Sequence, residues 1–247
     1  MLYSDILNGI NDRLNNKYYT DTHSNEILRV INQALRDINV GKITDNPASQ
    51  PRRRVGYDFQ KESTDLAYVS GTERYTLSTY ITDLTTLKWI EDVLIDSDEN
   101  RKFIKRSASY FRKKRGINYS TERMFAEEYI NGTKSILIYH SETHTLNLIW
   151  YSNYLVTYGG TRQLYFVDGA TLNNQQLLIP DEFVDAVIDI AVGYSYRQDR
   201  NEQSLSSNAF LNSGRQTLMN MISSLGRYEK KPLERIGFNS EWGLNDN

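Results

Sequence analysis

The sequence predicts an α+β protein: a mainly α-helical bundle core with an inserted antiparallel β segment and an extended C-terminal arm. Three observations predict it. Apolar residues recur with a helical period near the N-terminus and again after Pro180; between Leu66 and Tyr151 the period shortens to two; beyond Gly226 neither period continues. The expected division is 1–65 for N-terminal helices and a long loop, 66–170 for the β-rich insertion, 171–229 for a central helical hairpin and 230–247 for the arm.

Ser4 can cap a short helix that carries Leu7, Ile10 and Leu14 on one face. A second helix starts at Ser24, with Glu26 in its first turn. Its residues Ile27, Val30, Ile31, Ala34, Leu35 and Ile38 form an unbroken amphipathic stripe that needs an apolar mate. From Gly41 to Thr64, Pro47, Pro51 and Arg52-Arg53-Arg54 interrupt any period, which reads as a long loop. Leu66–Val69 and Tyr75–Leu77, separated by Ser70-Gly71, suit a small hairpin, and Leu87, Trp89, Val93 and Ile95 alternate along a further strand. A short helix fits Ser107–Arg115. Met124–Ile130, Ser135–Tyr139 and Leu146–Tyr151 make a three-stranded meander, with Asn131-Gly132 as a type I′ turn.

The helix after Pro180 organises the rest. Pro180 suits a first turn, and Asp181 and Glu182 sit where the helix dipole is positive. Phe183, Val184, Val187, Ile188, Ile190, Ala191, Val192 and Tyr194 make it apolar over more than half its circumference, leaving Asp185 and Asp189 as a narrow wet face. The helix at Ser24 is its expected mate. After a polar break at Gln198–Glu202, Leu211, Leu218, Met219, Ile222 and Leu225 resume the period in a helix ending near Gly226.

Composition narrows the function. Of 247 residues, 39% are hydrophobic, enough to bury a core, and Lys+Arg of 29 against Asp+Glu of 31 leave a net charge of -2, so no global field recruits nucleic acid or membrane. No stretch approaches the roughly 20 apolar residues of a membrane span, and Met1–Asp5 does not read as a signal peptide, so no membrane partner is expected. Zero cysteines remove disulfides and thiolate chemistry. Eighteen tyrosines supply apolar rings with polar tips, which suit surfaces covered by a partner.

Catalytic readings find little support. His140 and His144 are four residues apart but flank a loop, so their rings are not expected to share a face as metal ligands do on a helix, and no metal or cofactor is expected. Gly159-Gly160 lacks the Lys-Ser/Thr of a phosphate loop, and Ser195 lies within a helix without the second glycine of a nucleophile elbow. The candidate DNA contacts are Arg52, Arg53 and Arg54, and, in the run Arg101–Arg115, Lys105, Arg106, Arg112, Lys113, Lys114 and Arg115, interleaved with Phe103, Tyr110 and Phe111.

The layout as a whole resembles a known family. Tyr75-Thr76-Leu77 leads into Leu87–Val93, a meander follows with Tyr129-Ile130-Asn131-Gly132, and Leu178–Phe183 opens a helix ending in Tyr194-Ser195-Tyr196-Arg197. This is similar to the head-to-tail adaptor (head-completion, tail accessory) proteins of tailed bacteriophages. The resemblance implies a non-enzymatic structural virion protein at the head-tail junction, assembled in the host cytoplasm. It further implies a homo-oligomeric ring, commonly of twelve copies, that docks under the portal protein, extends the DNA channel with non-specific contact to passing DNA, and presents a surface to tail or further ring proteins. The alternative is a soluble nucleic-acid-binding accessory protein that uses the two basic clusters; a wall-degrading hydrolase is a distant third. The C-terminal segment carries Leu233, Ile236, Phe238, Trp242 and Leu244 on an otherwise polar strip, which suits an arm that orders on the portal or a neighbouring subunit.

Overall fold

The computed structural model describes residues 1–14, 24–46, 54–114, 123–140, 142–198 and 205–229. Its helices are α1 (Tyr3–Arg13), α2 (Ser24–Val40), α3 (Ala108–Lys114), α4 (Val184–Gln198) and α5 (Leu205–Leu225). Its strands are β1 (Val55–Tyr57), β2 (Lys61–Tyr68), β3 (Arg74–Thr76), β4 (Leu87–Ile95), β5 (Asp98–Lys102), β6 (Ile104–Lys105), β7 (Met124–Ile130), β8 (Thr133–Tyr139), β9 (His144–Ser152), β10 (Val156–Tyr158), β11 (Thr161–Gln163), β12 (Gln176–Leu177) and β13 (Gly226–Tyr228). The strands form four sheets, in the orders β1-β13, β11-β10-β12, β2-β9-β4-β5 and β3-β8-β7-β6. The described chain divides into two compact units, one of Met1–Glu62, Thr85–Trp89 and Trp150–Glu229, the other of Ser63–Leu84 and Ile90–Ile149.

In the first unit α4 packs against α1, α2 and α5. The α2 stripe lies where its period puts it: Ile27, Val30, Ile31, Ala34, Leu35 and Ile38 are all buried in one cluster with Val187, Ile188, Ile190 and Ala191 of α4. Two helical glycines set the spacing of α4 and α5. A Cβ on Gly193 would lie 2.6 Å from Leu211 Cγ, and one on Gly214 would lie 2.9 Å from the backbone nitrogen of Ile190. A third, Gly9 on α1, admits Ile188. Pro180 precedes α4 as the cap of a 3₁₀ turn, Asp181–Phe183, whose last N–H is donated back to the Pro180 carbonyl at 2.9 Å. Of the two aspartates expected on a wet face, Asp185 is exposed but Asp189 is buried; it accepts a hydrogen bond from Ser213 Oγ at 2.7 Å and pairs with Arg13 Nε at 2.7 Å.

The expected mainly helical bundle core with one inserted β segment is therefore corrected. Val55 and Tyr57 of β1, Val156 of β10 and Leu177 of β12 are buried in the same cluster as the helices, so strands close this core as well as helices. The physical reason is that the helices alone do not cover one another's apolar faces: β1 packs against α2 and α5, and β13 against α5. Strand β1 arises inside the supposed loop and pairs antiparallel with β13, matching Val55 with Tyr228 and Tyr57 with Gly226. The extended C-terminal arm of the expected fold, 230–247, lies outside the described residues.

In the second unit β7 and β8 form the hairpin expected at Asn131-Gly132, with positive φ of 49° and 80° at the two turn residues, as a type I′ turn requires. Strand β3 pairs with β8, β6 runs parallel to β7, and α3 covers Met124, Ala126 and Leu137 with Phe111. Two expected pairings are corrected. β2 and β3 are not hairpin partners, since they belong to different sheets, and β9 lies between β2 and β4 and does not extend the β7-β8 pair into a meander. Alternation identifies a strand and its buried face but carries no information about its partner.

The close α4-α5 crossing predicts the behaviour of Gly214→Ala. Alanine gains about 1 kcal/mol of helix propensity over glycine, but its methyl meets backbone atoms of α4, and such overpacking costs about 1–3 kcal/mol. A net loss of stability is expected, measured by urea unfolding; a variant at least as stable as the parent would refute the close crossing.

Candidate functional site

The residues expected to bind partners or DNA are placed unevenly. Leu233, Ile236, Phe238, Trp242 and Leu244, and also Arg52, Arg53 and Arg115, lie outside the described residues, as does the Lys114 side chain. Arg54 is exposed and donates to the Lys88 carbonyl at 2.7 Å. In the second unit the basic cluster is largely met by carboxylates. Arg101 pairs with Asp96 at 3.1 Å, Lys102 with Asp92 at 3.4 Å and Lys105 with Glu127 at 2.6 Å, while Arg112 and Arg74 share the two oxygens of buried Glu128. Arg106 is buried with its guanidinium 4.9 Å from the Tyr110 ring centre. Phe103 and Phe111 are buried too, so neither offers a ring face to a base. Lys113 is exposed. Exposed ion pairs each add only about 0.2–1 kcal/mol to stability, but each carboxylate here offsets a positive charge that a polyanion would otherwise feel. Arg74 and Arg112 also line a cleft of about 500 Å³ with Gly71, Thr72, Phe111 and Leu137.

A cluster that sequence spacing did not reveal lies at the turn from β8 to β9. One ligand atom from each of His140, Glu142 and His144 lies within 4.8 Å of the other two. The expectation that the two rings face apart does not hold: their centres are 5.1 Å apart at an interplanar angle of 71°. Burial lowers the pKa of His140 below its ordinary value, and the neighbouring His144 and Arg123 act in the same direction. His23 lies outside the described residues.

The first unit holds two polar centres. Lys88 of β4 is buried, and its ammonium donates to the Asn39 carbonyl at 3.0 Å, the Val55 carbonyl at 2.7 Å and Gln60 Oε1 at 2.8 Å. None of these acceptors is a carboxylate. Burial lowers Lys88 from 10.5 to about 7. Gln60, also buried, donates from Nε2 to Asn39 Oδ1 at 3.0 Å and to the Tyr154 carbonyl at 3.3 Å, so the lysine sits in a net that joins the end of α2 to β1 and to the segment after β9. The second centre is Asp45, which pairs with Arg215 at 2.6 Å, Arg197 at 2.9 Å and Lys42 at 3.2 Å. Partial burial acts to raise its pKa, but hydrogen bonds from these three cations outweigh it and hold the carboxyl well below the usual carboxylate range. This anion fastens the segment after α2 to α4 and α5. Both centres are built for cohesion, with every named charge turned toward another part of the same unit.

Among the described residues no helix is long and apolar enough to cross a membrane. A family model described as SU10 adaptor protein matches residues 1–232. No curated protein matches the chain.

The buried lysine gives stability a definite pH dependence. An unfolded chain keeps this proton up to about 10.5, whereas the folded chain releases it above about 7. Unfolding therefore takes up a proton between these values, so Lys88 makes stability rise with pH across the window and fall again as pH drops toward 7. Lys88→Met is expected to remove that rise, measured as denaturant midpoints from about pH 7 to about pH 10. An identical slope in parent and variant would contradict it.

Proposed function

The chain belongs to the SU10 adaptor protein family, a family of phage head-tail adaptors, and from that premise we propose that it is a subunit of a ring that docks under the portal. Its role is structural, at the junction of the phage head and tail. In the proposed assembly the ring is a homo-oligomer, a dodecamer matching a twelvefold portal; it continues the DNA channel and offers a surface to tail or further ring proteins.

The observation that carries this reading is the extent of the family match, which spans both compact units and ends at residue 232. Two features of the molecule support it. The polar groups at Lys88, Asp45 and Asp189 are engaged in internal bonds that hold secondary elements together, the use expected in a load-transmitting subunit. The ion-paired basic cluster suits a wall past which DNA must slide, since strong phosphate contacts would hold the duplex in place. The arm after Gly237, with Phe238 and Trp242 as its large apolar anchors, is proposed to grip the portal or a neighbouring subunit.

Electron microscopy of the protein mixed with its portal tests the ring: capped portals with added density at the tail-facing end are expected, and unaltered portals would reject it. Truncation after Gly237 is expected to leave the melting temperature nearly unchanged while abolishing attachment to the portal; full attachment by the truncated chain would reject the arm.

Contact with DNA is expected to lack sequence preference and to weaken steeply with added salt, because phosphate contacts release counterions and carry no base information. Fluorescence anisotropy on two unrelated duplexes over a salt series checks this. Base-specific binding that survives high salt would favour the nucleic-acid-binding alternative.

A further inference from the structure

His140 follows β8, Glu142 lies in the turn and His144 opens β9. The turn that carries them is held from several directions. The Tyr68 hydroxyl donates to the His140 carbonyl at 2.7 Å and accepts from the His140 N–H at 3.1 Å, and Thr143 Oγ1 accepts from the Ser70 N–H at 3.2 Å. The rings of Phe103 and Tyr68 stand 5.8 Å and 6.5 Å from that of His140. The backbone of His140 is thus fixed and its imidazole has an apolar flank.

His144 Nε2 lies 3.1 Å from Glu142 Oε2, and His140 Nδ1 lies 3.3 Å from the Glu142 carbonyl and 3.0 Å from the Glu142 N–H. The carbonyl contact matters for ligation. In the free turn Nδ1 accepts from the Glu142 N–H, so the neutral ring carries its proton on Nε2; ligation through Nε2 moves that proton to Nδ1, where the Glu142 carbonyl accepts it. An ordinary His144-Glu142 ion pair accounts for one contact and gives no reason for the second imidazole beside it.

We infer that the β8-β9 turn is a metal site, in which His140, Glu142 and His144 bind a borderline divalent transition ion such as zinc. Two imidazoles and one carboxylate favour zinc, cobalt or nickel over magnesium or calcium, which prefer all-oxygen shells. Zinc bonds of about 2.0–2.1 Å put tetrahedral ligand atoms about 3.4 Å apart. The three ligand atoms lie within 4.8 Å of one another, His144 Nε2 and Glu142 Oε2 already at 3.1 Å, and the Glu142 side chain, 71% exposed, meets little resistance in adjusting. The fourth position is left to water. Ligation requires neutral imidazole. The bound ion would cross-link the end of β8 to the start of β9.

The chain has three histidines and no cysteine, so the test is compact. The full-length chain, freed of any affinity tag, is titrated with zinc chloride by calorimetry, with cobalt absorption spectra as a second readout. One equivalent is expected to bind and to raise the melting temperature. His140→Ala, His144→Ala and Glu142→Gln are each expected to weaken binding by at least the roughly 10–100-fold that loss of an outer-shell partner costs, and His23→Ala to leave it unchanged. Glu142→Gln and His144→Ala decide the matter if His140→Ala does not fold. Absence of stoichiometric zinc binding, undiminished binding in His144→Ala, or loss of binding in His23→Ala would each overturn the site.

Discussion

Helix α4 presents apolar side chains on almost every side, so nearly all of its first three turns must be kept from water. Val184, Val187, Ile188, Ile190, Ala191 and Val192 are buried together. This demand brings α1, α2 and α5 onto α4 and draws in short strands from remote parts of the chain. It also explains why small residues stand at the contacts: Gly9, Gly193 and Gly214 sit where a side chain would collide with the opposing element. Close approach buries more apolar surface per residue, at about 25 cal/mol per Å², and ties each helix position to its neighbours.

Polar groups then decide how that apolar core is registered. Lys88 donates all three of its ammonium hydrogens to acceptors from three segments, and Asp45 collects cations from three others. A misregistered core would strand one of these groups without its partners, at a cost comparable to a lost buried hydrogen bond or more. The second unit follows the same economy on its surface, where lysines and arginines that look like a DNA-binding run face aspartates and glutamates. A run of like charges in sequence thus says little about the field outside the molecule until the carboxylates beside it in space are known.

For an adaptor this division is apt. An adaptor must hold its shape while offering surfaces to neighbouring proteins, and a core fastened by internal ion pairs leaves surface loops to specialise. The His140-Glu142-His144 turn is one such loop, with its backbone anchored by Tyr68 and its side chains grouped at the surface.

What the sequence determined by itself was local. The stripe of α2, its start at Ser24, the Asn131-Gly132 turn and the buried character of α4 all follow from interactions within a turn or two of chain, and periodicity records those directly. The adaptor family was also legible, through short motifs read in order along the chain. Tertiary structure alone decided which strand pairs with which, that strands share the core with the helices, that Asp189 is buried against Arg13 and Ser213, and that two histidines flanking a loop meet. Each of these depends on contacts between residues far apart in sequence, or on the path of a turn, and hydrophobic pattern fixes which face of an element is buried without naming what buries it.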